Sequence, residues 1–409
     1  MPPAHLQEAL ARLRENAPNS IARTLAWAGQ NSGSMEIEGL ARMADALESD
    51  FSALPGRIER LDLPPLARVR PDGGEQEVPL GQALRLRVRP QARLQIALTG
   101  HYDTVFARSH SFQGVTEEEA QLRGPGVADM KGGLSIMLDA LCAFEKTEMA
   151  ANLGYTILLS PDEEIGSPGS APLLAQIGAE AHFGMTYEPA TPDGFLVDAR
   201  AGSGNFALVV RGRAAHVGRA FAEGRNAMAA AARFAAMIDA LNNCLGPVTF
   251  NVGAIEGGGP VNIVPEHALV RFNVRAPTLE ESQAALDAIH VAQQRIGQED
   301  GISVHLHGGF SRPPKPRTPS QSAAAALVAH AGAQLGLQLG FRASGGVCEG
   351  NNLAAAGCPN IDTLGVVGGG LHSSEEFALK SSFAERAQLS LMILHDIASG
   401  KADLSGLRP

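Results

Sequence analysis

Residues 94–103 read LQIALTGHYD: a short apolar run, LQIALT, closed by Gly100 and followed at once by His101 and Asp103. An apolar run of this length bounded by glycine fits a strand buried on both faces. Similar runs recur at 154–160 (GYTILLS), 181–188 (AHFGMTYE) and 360–367 (NIDTLGVV), with helical patterns such as LSIMLDALCAFEK (134–146) between them. This alternation predicts an α/β domain built on a mostly parallel sheet. Ligand-type residues close each run: His101 and Asp103 the first, Glu163 and Glu164 the second, Glu188 the third. His372 lies a short glycine-rich loop after the fourth. Sites in open α/β sheets form outside the carboxyl ends of the strands, so four segments deliver candidate ligands to one edge.

Working outward, the middle of the chain has another rhythm. A strand (NFALVVRG), a helix from about Asn226, two strands (VTFNVGAI and ALVRFNVRA), a helix from about Leu279 and a strand (ISVHLHG) follow in order. That order is β-α-β-β-α-β, a ferredoxin-like module. It predicts an insert over 201–310, with the proline-rich stretch SRPPKPRTPS as the return linker. The catalytic domain is then discontinuous, 1–200 and 311–409, a division consistent with the two domains that 409 residues suggest.

Each cluster has a chemical reading and a plainer one. His101 can give one ring nitrogen to a metal while Asp103 accepts the other ring N–H, or it is simply a hydrogen-bonded strand-end histidine. Asp129, in GPGVADMKGG, has two carboxylate oxygens and can bridge two metals, or it caps the helix that follows. In SPDEEIGS, Asp162, Glu163 and Glu164 are adjacent carboxylates that repel unless cations or raised pKa values relieve them. Glu164 as a ligand leaves Glu163 to take a proton from the attacking water and pass it to the leaving nitrogen. The alternative there is an exposed acidic turn. Glu188 and His372 each add one terminal ligand. Asp129, Glu164 and Glu188 bring three negative charges to offset two dications, and with neutral His101 and His372 the set suits two Zn ions, cobalt or manganese being possible substitutes.

With these residues in place, the sequence resembles the zinc aminoacylase and carboxypeptidase family that includes glutamate carboxypeptidase, acetylornithine deacetylase and succinyl-diaminopimelate desuccinylase. The likeness runs from about residue 90 to the C-terminus and is densest at TGHYDTV, GPGVADMKGG, SPDEEIGS, EPA and LHSSEEF; it is nearest the glutamate carboxypeptidase branch at GPGVADMKGG and VNIVP. The resemblance implies His101, Asp129, Glu164, Glu188 and His372 as zinc ligands, Asp129 as the bridge, Glu163 as general base and a cis peptide after Asp129. It implies a homodimer in which His216, in GRAAHVGR, enters the partner's active site to stabilise the oxyanion. It also implies substrate contacts from Asn262 in VNIVP, Arg275 in FNVRAP and Arg312 in SRPP. The chain departs from the family pattern at SGGVCEGNN, where Cys348 and Glu349 replace a Thr-Asp pair. A substrate-binding lysine of the carboxypeptidase branch has no clear match either, and Arg200 is the candidate in its place.

Composition narrows the partners. Net charge is −10, from 43 acidic and 33 basic residues with no dense basic block, which disfavours nucleic acid and anionic membranes. No run reaches a membrane span and the first residues lack a secretory pattern, so a cytoplasmic protein is expected. Cys142, Cys244, Cys348 and Cys358 show no C-x-x-C spacing and are expected to be reduced. His305 and His307 share one strand face and read as surface. The expected activity is hydrolysis of a peptide with a C-terminal acidic residue, or of an N-acyl amino acid. Rival readings are a catalytically inactive binding protein on the same fold and a cysteine hydrolase using Cys348.

Overall fold

A computed structural model describes residues 3–70, 72–402, 404 and 407. Its centre is a six-stranded sheet in which Leu94–His101 lies between Leu153–Ser160 and Phe183–Thr186, parallel to both. Asn360–Ile361 extends the sheet in parallel beyond Phe183–Thr186. Ala83–Val88 and then Ile58–Leu61 complete the other side in antiparallel pairing. The inner strands are buried along almost their whole length, which is why their sequences run apolar without alternating. One face is covered by helices Ala4–Ala28, Lys131–Phe144 and Ser381–Ala398, which pack on one another over the main core. The other carries Ala171–Glu180 and Glu349–Ala355, with Ala97, Leu158, Leu174, Ile177 and Leu353 between the layers.

The segment from Gly202 to Arg312 builds a second sheet. Its strands Thr249–Gly257, His267–Ala276, Gly202–Arg211 and Ser303–Arg312 lie side by side in that order, every pairing antiparallel. Helices Ala227–Ala240 and Leu279–Gly297 close one face over a separate core that includes Leu208, Phe234, Val270 and Ile289. Asn226 and Thr278 cap these helices, their side-chain oxygens accepting from Ala229 N and Glu281 N. On the opposite face a hairpin from the first lobe, Leu66–Val69 with Glu75–Val78, lies against the sheet. There Val69 joins Ala207, Val209 and Leu269, and Arg271 Nη2 donates to Val69 O at 2.7 Å. His307 pairs with Glu75 of this hairpin at 3.2 Å, so the face carrying His305 and His307 is partly covered rather than open.

The two crossings between the lobes are tied together. Arg200 and Lys315 exchange backbone hydrogen bonds of 2.9 Å in both directions. Asp362 accepts from Arg200 Nε at 2.7 Å and from Lys315 Nζ at 2.8 Å, all three side chains being buried. Burial pushes the Asp362 pKa up, but the two cations more than offset it and bring the value down to about 2. Arg200 is thus an internal tie and not a residue open to substrate. Asp362→Ala is expected to cost about 3–5 kcal/mol, the scale for orphaning a buried charge, read as a lower urea midpoint; an unchanged midpoint would show that the triad does not hold the joint.

Candidate metal centre

His101 ends its strand with a fully buried side chain. Its Nδ1 faces Asp103, at 3.1 Å from the backbone oxygen and 3.3 Å from Oδ1, while Nε2 lies 3.0 Å from Asp129 Oδ1 and 3.7 Å from Glu188 Oε1. Asp103 also accepts from the backbone N–H groups of Glu163 and Glu164 at 3.1 and 3.2 Å, which ties two strand ends together. Across the cluster, His372 Nε2 stands 3.4 Å from Asp129 Oδ2 and 3.1 Å from Glu164 Oε2. Asp129 therefore turns one oxygen to each histidine. His101 and Glu188 flank one side of it, His372 and Glu164 the other. One ligand atom each from His101, Asp129 and Glu164 lies within 4.8 Å of the others, as do those of His101, Glu163 and Glu188.

Two alternatives left open by sequence are decided by this geometry. Helix Lys131–Phe144 begins with Met130 at its N-cap and no side-chain cap bond, so Asp129 is not its cap, and the peptide between Asp129 and Met130 is cis. Asp162 and Glu163 are buried, not an exposed turn. Asp162 holds the loop by accepting from Gly169 N at 2.7 Å and Ser170 Oγ at 2.5 Å.

Crowding sets the electrostatics. Burial and then Asp129 push Glu164 up to about 8 and Glu188 well above the usual carboxylate range. Burial also raises Glu163, although Arg312 and His101 pull it down. Hydrogen bonds to Asp129 and Glu164 lift His372 to about 11. Asp129 is raised by burial, yet the two histidines hold it well below the usual range. Glu188 Oε1 is buried with no hydrogen-bond partner among the described residues. An unpartnered buried oxygen among mutually repelling carboxylates and two imidazoles fits cations between them.

The lobe spanning Gly202–Arg312 carries the remaining sequence candidates. His216 and Asn262 are exposed neighbours, with Val217 N donating to Asn262 O at 3.0 Å, and neither makes a hydrogen bond or ion pair with the cluster among the described residues. Arg275 is half-buried, donating from Nε to Asn273 Oδ1 at 3.0 Å and from Nη1 to Gly345 O at 3.4 Å, with no acidic partner among the described residues. Arg312, at the end of the last strand, is buried beside Glu163, Nη2 to Oε1 at 2.6 Å. Cys348 is buried as the cap of helix Glu349–Ala355, and burial raises its thiol well above the usual value, the wrong direction for a nucleophile.

Two supporting residues were not singled out in the sequence. Glu376 is buried and its Oε1 accepts from the N–H groups of Ala128 and Asp129, both at 3.0 Å, fixing the loop that presents Asp129. Lys131 is buried too, its Nζ donating to Trp27 O and Gln30 O at 3.1 and 2.9 Å, and burial lowers its pKa to about 7. Sequence offered one clue to Glu376: a charged residue followed directly by an apolar stretch in the same loop as His372.

Two lobes, one bearing a carboxylate and histidine cluster at a sheet edge, define a metal-dependent hydrolase. The chain belongs to peptidase family M20/M25/M40, whose model matches residues 97–396. It is 25% identical to carboxypeptidase G2 of a Pseudomonas species over 377 residues, covering 90% of this chain and 87% of that one. It is 28% identical to succinyl-diaminopimelate desuccinylase of Bordetella petrii over 275 residues, 64% of this chain and 70% of the relative. A tripeptidase structure from Staphylococcus aureus shares the fold with a TM-score of 0.72 at 18% identity, over 94% of this chain and 99% of that one. No helix among the described residues is long and apolar enough to cross a membrane.

The raised carboxylates give metal removal a pH signature. Without metal, the folded chain holds more protons than the unfolded chain above about pH 4.5, so stability falls as pH rises towards about 8, the folded value of Glu164. His372 acts in the same direction above about 6.5, since its folded value is about 11. The lowered Asp129 opposes this only in acid, where its contribution is lost as pH falls through the folded value, and the lowered Lys131 opposes it in part above about 7, against the larger set of raised groups. Chelator-treated protein should therefore melt lower at pH 8 than at pH 5.5 in differential scanning fluorimetry, and zinc should remove the difference. A melting temperature that rises with pH in chelator would contradict the crowding account.

Proposed function

We propose that this chain is a di-zinc exopeptidase of the glutamate carboxypeptidase kind, cleaving the amide bond that joins a C-terminal acidic residue to the rest of a small peptide. The observation that carries the reading is Asp129, set between His101 with Glu188 on one side and His372 with Glu164 on the other. Two metals bound there would polarise the scissile carbonyl and lower the pKa of water. Glu163 takes the proton from the attacking water and gives it to the leaving nitrogen. Asp103 holds the tautomer and orientation of His101. Arg275, a guanidinium without an acidic partner among the described residues, receives the substrate's terminal carboxylate. Asn262 contacts the substrate from the same lobe, 201–310, which acts as a lid and dimerisation module.

The active unit in this reading is a homodimer, in which His216 of the partner subunit stabilises the developing oxyanion. Its support is the surface around that histidine: Val217, Phe221, Val261 and Ile263 are 41%, 65%, 99% and 40% exposed, an apolar set of the kind that marks an interface. A second reading, an N-acyl amino acid deacylase, is supported by the 28% identity to a desuccinylase and presents the same carboxylate to Arg275.

A panel of acyl-glutamates, acetyl-amino acids and dipeptides separates the two, with the highest kcat/KM expected for substrates that release a C-terminal acidic residue. Glu163→Gln should lower kcat by about 10²- to 10⁴-fold, the range for general acid–base catalysis, with metal content unchanged by atomic emission. Arg275→Ala should instead raise KM for substrates bearing the carboxylate. Full activity in Glu163→Gln would remove the base assignment, and preference for acetyl-amino acids would favour the deacylase.

A further inference from the structure

Arg312 and Arg275 lie on the same lobe, yet their surroundings differ in a way that separates their roles. Arg275 is half-buried with no acidic partner among the described residues. Arg312 is 1% exposed and already engaged. Its Nη2 donates to Glu163 Oε1 at 2.6 Å, to Glu163 O at 3.1 Å and to Ser167 Oγ at 2.9 Å, and its Nη1 donates to Asn352 Oδ1 at 2.6 Å. A substrate carboxylate has no exposed guanidinium edge to reach there, and reaching it would strip the partner from a buried Glu163. We infer that Arg312 is a positioning residue for Glu163 and not a substrate clamp. This rests on the proposal that Glu163 is the base.

The anchoring of Arg312 supports such a role. Asn352, which fixes Nη1, also donates to Ser311 O at 3.3 Å. Its neighbour Asn351 donates to Ala201 O at 3.0 Å and to Pro313 O at 2.8 Å, so helix Glu349–Ala355 gathers both crossings between the lobes. That helix opens with the Cys348-Glu349 departure and carries the two asparagines that follow it. Arg312 is thus set by the joint and grips Glu163 by its side chain and its backbone oxygen together. Oε1 is occupied, which leaves Oε2 as the oxygen able to take the proton. Nη2 holds Glu163 while Nη1 is held by Asn352, so the guanidinium plane is fixed by two nitrogens at once, an anchoring that a single lysine nitrogen does not reproduce.

The test uses the metal-loaded, full-length protein and whichever peptide or acyl-glutamate the wild type turns over best. Arg312→Ala and Arg312→Lys should lower kcat by about 10²-fold, the scale for a catalytic group misplaced by about an ångström, with KM and metal content unchanged. Asn352→Ala should lower kcat less, again at constant KM. Added guanidinium ion should restore part of the kcat of Arg312→Ala, and calorimetry should show that variant binding the released amino acid as tightly as wild type does. A KM raised tenfold with kcat kept, or loss of the released amino acid's binding, would overturn the inference and return Arg312 to the substrate. If Arg312→Ala does not fold, the lysine and Asn352 variants decide the matter by the same split. Should wild type turn over none of the substrates, it is the proposed function that fails; a Glu163→Gln variant that is inactive beside an Arg312→Lys variant altered only in KM sinks this inference alone.

Discussion

Three buried carboxylates, Asp129, Glu163 and Glu188, and the partly buried Glu164 converge on two imidazoles within a few ångströms, and their mutual repulsion is the constraint on which the arrangement of this lobe turns. Removing such groups from water is unfavourable unless protons or cations compensate. The sheet makes the convergence possible, because its parallel neighbours end side by side and each delivers an imidazole or carboxylate at its end or in the loop that follows. Rigid backbone then holds the groups together against repulsion. Asp103 ties the end of one strand to the loop after the next, and Glu376 ties the Asp129 loop to the one that carries His372.

Local frustration of this kind belongs to function more than to stability. A chain selected only for stability would gain by replacing Glu164 or Glu188, whose pKa values are raised by burial and by Asp129, with a neutral residue. Instead the surrounding polar groups are arranged to orient them: Asp103 faces His101, Asp162 pins the loop beyond Glu164, and Arg312 holds Glu163. The second lobe enters this network through one joint, where Asp362 binds Arg200 and Lys315 and helix Glu349–Ala355 meets both crossings. The Arg312 contact with Glu163 and the crossings between the lobes therefore share structural members.

Much of this was legible in the amino-acid order. Unbroken apolar runs ending in His, Glu or Glu-Glu marked buried parallel strands, and the β-α-β-β-α-β order of the middle segment is the order the second sheet adopts. Periodicity could not reveal the hairpin 66–78 lying on that sheet, since its short, mostly polar strands carry no distinctive pattern. A sequence shows charge but not burial; in the folded chain Arg200 and Arg312 are both buried, facing Asp362 and Glu163. Glu376 stayed unassigned for the converse reason, as its work is done through backbone N–H groups that no motif displays.

The central claim is that Asp129 bridges two metal ions, and anomalous diffraction at the zinc edge from zinc-loaded crystals tests it most directly. The account predicts two peaks roughly 3.5–4 Å apart, as in other two-metal hydrolases, one beside His101 and Glu188, the other beside His372 and Glu164, with an Asp129 oxygen on each. A single peak, or peaks away from these residues, would contradict it.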